Sequence, residues 1–476
     1  MRIDHDLLGD IEVPDTAYYG AQTQRALELC NPSKEKLCDY PELVYSITAI
    51  KKSCAIVHHK LGVLPEDKAH AIMQASDEVM EGKFIDQFPV DIVNGGGCVS
   101  VHMNVNEVIA NRANEIICGK KGDNAVHGNT HVNMGQSTND VIPSAIKLAL
   151  YQDLLPIIES VDVLRQTYAV KAEQFAKVVK VSRTCFQDAV PITLGQFYGA
   201  SASFLQRQKE ELTGLLPDCL AVPLGATAVG TGLGTFKGYQ QLITETLSGI
   251  LGLKVVQEKN LFDGLQYGDL YIKTSSALRS LATGISKMAR DIRIMSSGPR
   301  AGLGEITIAP VQSGSSIMPG KINPALPELM NVICYEVCGN DVSVCMAVEG
   351  GELELNVWEP VIIINLLGSC RMLAQSIPTF SKQCVETIHA DTEKCRYSAE
   401  YSIALSTVVS ALLGYQDGTK VALYATEHGL PVKEAAVQLG FIEQKQADSL
   451  LDPLLLTDPE KSGELLLRLA LSKREV

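Results

Sequence analysis

Apolar residues along this chain recur mostly at helical spacing. After a turn-rich opening in which Gly9, Pro14, Gly20 and Pro32 interrupt any period, the pattern predicts helices over residues 43–62 and 65–81. Residues 87–99 become glycine-rich at NGGGC, and a helical stretch then runs through Asn111. Long helices dominate from about 140 to 395. The clearest covers residues 274–296, where Leu278, Leu281, Ile285, Met288, Ile292 and Met295 alternate three and four apart, the spacing of a bundle seam. It would be roughly 35 Å long. Comparable patterns over 144–178, 198–216, 325–348 and 360–381 predict an elongated antiparallel bundle with few strands. From about 396 a tail of short helices follows, punctuated by Gly429-Leu430-Pro431, Gly440 and Asp452-Pro453. The expected fold is mainly α with three domains: a mostly helical N-terminal domain (1–139), a central long-helix bundle (140–395) and a small helical C-terminal domain (396–476).

Composition narrows the function classes. Over 476 residues, 46% hydrophobic and 20% charged positions with no low-complexity tract exclude a disordered or fibrous protein. A net charge of −14 without a long basic run argues against nucleic acid or an anionic membrane as partner. The charge-free run at residues 401–416 is shorter than a bilayer span and carries four Ser or Thr hydroxyls. The thirteen cysteines are scattered, without a CxxC pair or zinc-ligand spacing, and read as reduced thiols. With no secretory or transit signal in MRIDHDLLGDIEVP, the expected compartment is the cytoplasm. The histidines form no HExxH motif, and neither a Walker loop nor a strand-borne GxGxxG is present, so a nucleotide site is weakly supported.

The candidate chemistry lies in the loops between the long helices: GQSTND (135–140), SRTCFQDA (182–189), LGATAVGTGLG (224–234), SSGPRAGLGE (296–305) and SGSSIMPGKINP (313–324). The last is the most informative. Its glycines free the backbone to present N–H groups to an anion, Ser315 and Ser316 offer hydroxyls, and Lys321 and Asn323 add a cation and an amide donor. Such a set suits a carboxylate. GQSTND sets two hydroxyls and an amide before a helix, where the dipole favours an anion, although Ser137 or Thr138 alone reads first as an N-cap. Arg183 and Asp188 alone would be a structural ion pair, and Thr184 gains interest from its company.

In order along the chain, QFPVDIV (87–93), GQSTND, QDAVPITLGQ (187–196), GATAVGTGL (225–233), SSGPRAGL (296–303), GSSIMPGKINP and ELNVWEPV (354–361) closely resemble the aspartase/fumarase superfamily. The opening segment and SGPRAGLGEI are most similar to its aspartate ammonia-lyase branch. The resemblance implies a homotetramer whose central helices form one bundle, active sites assembled from three subunits, a small carboxylate or amino-acid substrate, and no cofactor or catalytic metal. It implies that Ser315 is the base, in a loop that closes over substrate. Lys321, Asn323, Thr184 and Asn139 would hold the α-carboxylate, and Ser137, Thr138 and Ser316 would face the charge that develops after proton removal.

Three positions depart from that branch. Where its loop reads GTSxNMN, this chain has Val99 for the threonine and His102 for an asparagine; after the Arg-Thr pair, Cys185 stands where a His or Gln is expected, while Glu328, the acid that pairs with that histidine in fumarases, is retained. An unsatisfied ammonium costs about 1–3 kcal/mol per lost hydrogen bond, whereas a quaternary amine has no N–H to satisfy. These positions therefore point to an ergothionase-like member expelling trimethylamine from ergothioneine to form thiolurocanate, with His102 facing the thioimidazole ring. The alternative is L-aspartate ammonia-lyase itself, with Val99, His102 and Cys185 as tolerated changes. A catalytically silent structural relative would be expected to lose Ser315, Lys321 and Asn323, all of which are retained. Fumarase chemistry is disfavoured by Cys185.

Overall fold

A computed structural model describes residues 1–122 and 124–472, apart from the side chains of residues 470 and 472. The protein is mainly α. The turn-rich opening contains an antiparallel hairpin, β1 (Arg2–Asp6) and β2 (Gly9–Val13), followed by α1 (Ala21–Leu29). Then come α2 (Pro41–Lys60) and α3 (Glu66–Met80), close to the expected boundaries, and α4 (Val99–Cys118), which continues past the expected end at Asn111. The long helices are α5 (Thr138–Gln174), α6 (Leu194–Cys219), α9 (Asp269–Met295) and α10 (Ala325–Glu349), with α7 (Tyr239–Leu251) and the short α8 (Asp263–Gln266) between them. The segment predicted at 360–381 is helical throughout but changes pitch: α11 (Glu359–Ile362), a π turn (Ile363–Leu367) and α12 (Gly368–Gln383).

The six apolar seam residues of α9, from Leu278 to Met295, are all buried, so the three-and-four spacing reports the helix face. The SRTCFQDA segment is not the open loop its polarity suggests. β3 (Val179–Thr184) and β4 (Gln187–Thr193) pair antiparallel, with Thr184 opposite Gln187. Cys185 and Phe186, the two residues between them, have φ of 54° and 59°. Positive φ at both central residues is what a two-residue type I′ turn needs, and Asn-Gly, its usual signature, is absent, so no hairpin signal is legible in the residues themselves.

The chain divides into two compact units. The first comprises Met1–Glu159, Lys209–Thr283 and Ile333–Gln375; the second comprises Ser160–Gln208, Gly284–Val332 and the chain from Ser376 onward. In the second, Leu405, Val409, Val421, Ala425, Val432, Ala435 and Leu450 form a core of their own among the short C-terminal helices. By length and composition two helical stretches, Thr138–Gln174 and Glu359–Thr387, would suffice to cross a bilayer, but 61% of each apolar window is buried inside the protein, as in core helices. All thirteen cysteines are free thiols.

Candidate active site

The predicted residues form two groups, one in each unit. In the first unit, Ser137 ends the loop before α5 and caps it: its hydroxyl accepts from Asn139 N at 3.2 Å. Asp140, in the first turn, is fully buried. Its carboxylate accepts from Ser137 N and, across the chain, from Gly225 N and Thr227 N, each at 3.0 Å. Burial raises its pKa to about 6 against the pull of those three donors. Asn139 gives one amide N–H to Ala228 O at 2.8 Å. The GQSTND and GATAVGTGL motifs are thus one structure, tied through Asp140 and Asn139.

Thr138 receives a different contact. His102, on α4, is 1% exposed, and its Nδ1 lies 2.8 Å from Thr138 Oγ1. Its Nε2 is hydrogen bonded to Lys51 Nζ, from α2. His102 therefore does not present a ring to a substrate, as the sequence suggested; both nitrogens are engaged inside the protein. Burial, then the neighbouring Lys51, holds its pKa well below the ordinary imidazole value. Val99, three residues earlier at the start of the same helix, is 44% exposed.

In the second unit, Thr184 and Cys185 sit exposed at the β3–β4 turn. Arg183, beside them, is held mainly by Glu305, not Asp188: its guanidinium reaches Glu305 at 2.8 Å and Asp188 only at 3.9 Å. Glu305 is 1% exposed, with Lys180 3.3 Å away on its other oxygen. A buried carboxylate between two cations fixes the strand that carries Thr184. In the GSSIMPGKINP loop, Ser315 Oγ accepts from Ile317 N at 3.2 Å and Met318 N at 3.0 Å. Gly314 N bonds Lys321 O at 3.0 Å and closes the loop on itself. Gly314 is required there, since a Cβ would stand 2.4 Å from that carbonyl. Ser316 and Lys321 are exposed and Asn323 partly so. Glu328, on the first turn of α10, lies 3.5 Å from Arg293.

The sequence reading missed Lys51 and Asp140. Asp140 was visible only as the end of a motif. Lys51 carried a signal: it stands four residues after Ile47 and three before Cys54 on the apolar face of its helix, where a lysine needs a partner. Two cavities of about 530 and 600 Å³ lie in the first unit, one beside Lys147, Glu258 and Tyr271, the other beside Asp6, Glu107 and His127. Neither includes a predicted site residue. Among the described residues no three His, Cys, Asp or Glu side chains converge as metal ligands.

Comparison with known proteins accounts for these motifs. A lyase family model matches residues 9–339, and a model of the fumarase C C-terminus matches residues 405–458. Aspartate ammonia-lyase of Helicobacter pylori (strain J99) is 40% identical over 96% of this chain and 98% of its own length. That of a Bacillus species is 40% identical over 97% and 99%, and that of Escherichia coli (strain K12) 39% over 96% of each. Among solved structures, a fumarate lyase:delta crystallin from Brucella melitensis superposes with a TM-score of 0.92 at 41% identity, covering 96% of this chain and all of the other. The class II fumarase of Schistosoma mansoni gives 0.92 at 32%, covering 96% and 99%. The chain belongs to the aspartase/fumarase superfamily and is a carbon–nitrogen lyase with that superfamily's helical fold.

Proposed function

We propose that the protein is an L-aspartate ammonia-lyase, eliminating ammonia to give fumarate. This reverses the order in which the sequence alone ranks the substrates. Ergothioneine came first there on three positions; one of them, His102, is turned inward, and relatives matching along nearly the full chain at about 40% identity bear the aspartate ammonia-lyase name. The observation that carries the chemistry is the pair of backbone N–H groups aimed at Ser315 Oγ.

Serine is a poor base because its alkoxide is costly in water. Two N–H donors on Oγ favour the ionised form, and desolvation under a closed loop strengthens them. Ser315 then takes a proton from the carbon beside the β-carboxylate, whose charge grows toward Thr138, Ser137 and Ser316. Lys321, Asn323, Thr184 and Asn139 hold the α-carboxylate, and the amine leaves from the opposite face. The reading requires no cofactor. It also takes the protein to be a homotetramer in which different copies of the chain supply the residues of one site. An exposed apolar stripe along α10, Leu329, Val332, Tyr335, Val342 and Met346, supports such an assembly.

A second reading keeps ergothioneine as substrate. The exposure of Val99 and of Cys185 favours it, since neither offers a strong partner to an ammonium while both suit methyl groups. One experiment separates the two: absorbance between about 230 and 330 nm after mixing purified protein with L-aspartate and, separately, with ergothioneine. A fumarate rise near 240 nm supports the first reading. A longer-wavelength thiolurocanate band with trimethylamine release replaces it with the second. Silence in both cuvettes removes both substrates. Ser315→Ala should abolish whichever turnover is seen, and retained turnover would exclude Ser315 as the base.

A further inference from the structure

Lys51 lies fully buried on α2, at the centre of a closed network. Its Nζ meets His102 Nε2, Asn133 Oδ1 at 2.8 Å and Gln136 Oε1 at 2.8 Å. The two amides are oriented independently of it. Asn133 Nδ2 donates to Gln136 O, and Gln136 Nε2 donates to Val132 O and Met134 O, so each turns its oxygen to the lysine. An ammonium has three N–H bonds and no acceptor, and here it finds three acceptors. One of them must be a bare imidazole nitrogen. That forces the proton of neutral His102 onto Nδ1, which faces Thr138 Oγ1. Thr138 Oγ1 then accepts from His102, and its own O–H is left to donate elsewhere.

We propose that Lys51 is a positioning residue: through His102 it fixes the polarity of the hydrogen-bond chain so that the Thr138 hydroxyl points its proton at the charge developing on the substrate. The proposal rests on the functional reading above only in placing Thr138 against that charge. Without the ammonium the chain can run the other way. No fixed donor then excludes a proton on His102 Nε2, Nδ1 becomes an acceptor, and Thr138 spends its proton on the ring. Burial supports the picture: it depresses His102 far enough that the ring stays neutral, so the variable is the tautomer and not the charge. Burial also brings Lys51 down to about 7, with Cys54 and Asp140 opposing, so the ammonium that sets this polarity prevails below about pH 7, where the tautomer is to be read.

The test combines a spectroscopic and a kinetic readout on the full-length protein. With ¹⁵N-labelled histidine, and His102→Asn used to assign the signal, NMR should show the His102 proton on Nδ1 in the wild type and a mixture of tautomers in Lys51→Met. On whichever of the two substrates is turned over, Lys51→Met should lower kcat about ten- to a hundredfold with KM changed by less than about threefold, the signature of an interaction made in the transition state. In a His102→Asn background the amide at that position can donate to Thr138 without Lys51 to orient it, so the Lys51→Met loss should shrink to less than about threefold. A wild-type proton on Nε2, an unchanged kcat in Lys51→Met, a change confined to KM, or an equal loss in both backgrounds would each overturn the proposal. The wild-type tautomer needs no variant and remains decisive if Lys51→Met does not fold. If neither substrate is turned over, the functional reading fails by itself, and the tautomers of wild type and Lys51→Met decide the role of Lys51.

Discussion

Glu359 shows what a single buried group can demand. It is 5% exposed, and its Oε2 has no hydrogen-bond partner among the described residues. Burial raises its pKa from an ordinary value near 4.5 to about 7. Between those two values the folded chain keeps a proton that the unfolded chain has lost, so this residue lowers stability as pH rises from about 5 to 7. Glu359→Gln lacks that slope. Its melting temperature should exceed the wild type's by a margin that is small at pH 5 and widens by pH 8; a margin constant with pH would mean that the carboxylate is ionised and satisfied in the native protein. The same contrast explains what was legible at this scale. Ser315, Lys321 and Asn323 sit in a loop whose composition advertises anion binding, whereas Lys51 and Asp140 lie on helices and gain their meaning only from partners that are distant in sequence, at His102 and Gly225. His102 was legible as a departure but not as a buried link, because one sequence does not show which face of α4 turns inward.

Elements were read better than their junctions. Periodicity located the long helices because a buried stripe must repeat every three or four residues, as on α9. It missed the β3–β4 hairpin because Cys185-Phe186 adopts the required φ without the residues that announce it. What holds such junctions is close approach of backbone, as at the start of α6. Gly195 N donates to Phe175 O at 3.0 Å, and a Cβ on Gly195 would stand 2.5 Å from Ala172 O and 2.8 Å from Ala176 Cα. Backbone there cannot yield cheaply. Gly195→Ala should therefore destabilise the second unit by about 1–3 kcal/mol or more, read as an earlier thermal unfolding transition. Gly199→Ala, one turn further on and 3.9 Å from its nearest neighbour, is the control and should be neutral to slightly stabilising. Equal effects at both sites would show that helix propensity and not crowding governs this junction.

At the scale of the whole molecule the residues proposed to act together divide between the two units: Ser137, Thr138 and Asn139 in the first, Thr184, Ser315, Lys321 and Asn323 in the second. The motifs and their order identify the superfamily, but they say nothing about which copy of the chain supplies each residue. The stripe on α10 bears on that question, since five large apolar side chains, 47–69% exposed on one 25-residue helix, are costly to leave in water. If they are covered by other copies, Tyr335→Glu should break the assembly, visible as a smaller mass by light scattering, and should abolish turnover with it. The sharper test mixes two inactive proteins. Ser315→Ala and Thr184→Ala chains, each dead alone, are unfolded together and refolded at equal amounts. Sites drawing Ser315 and Thr184 from different subunits then receive both intact residues in about one case in four, and about a quarter of wild-type activity should return. Sites drawing both from one subunit receive a defect in every case, and no activity should return whatever the mass of the assembly.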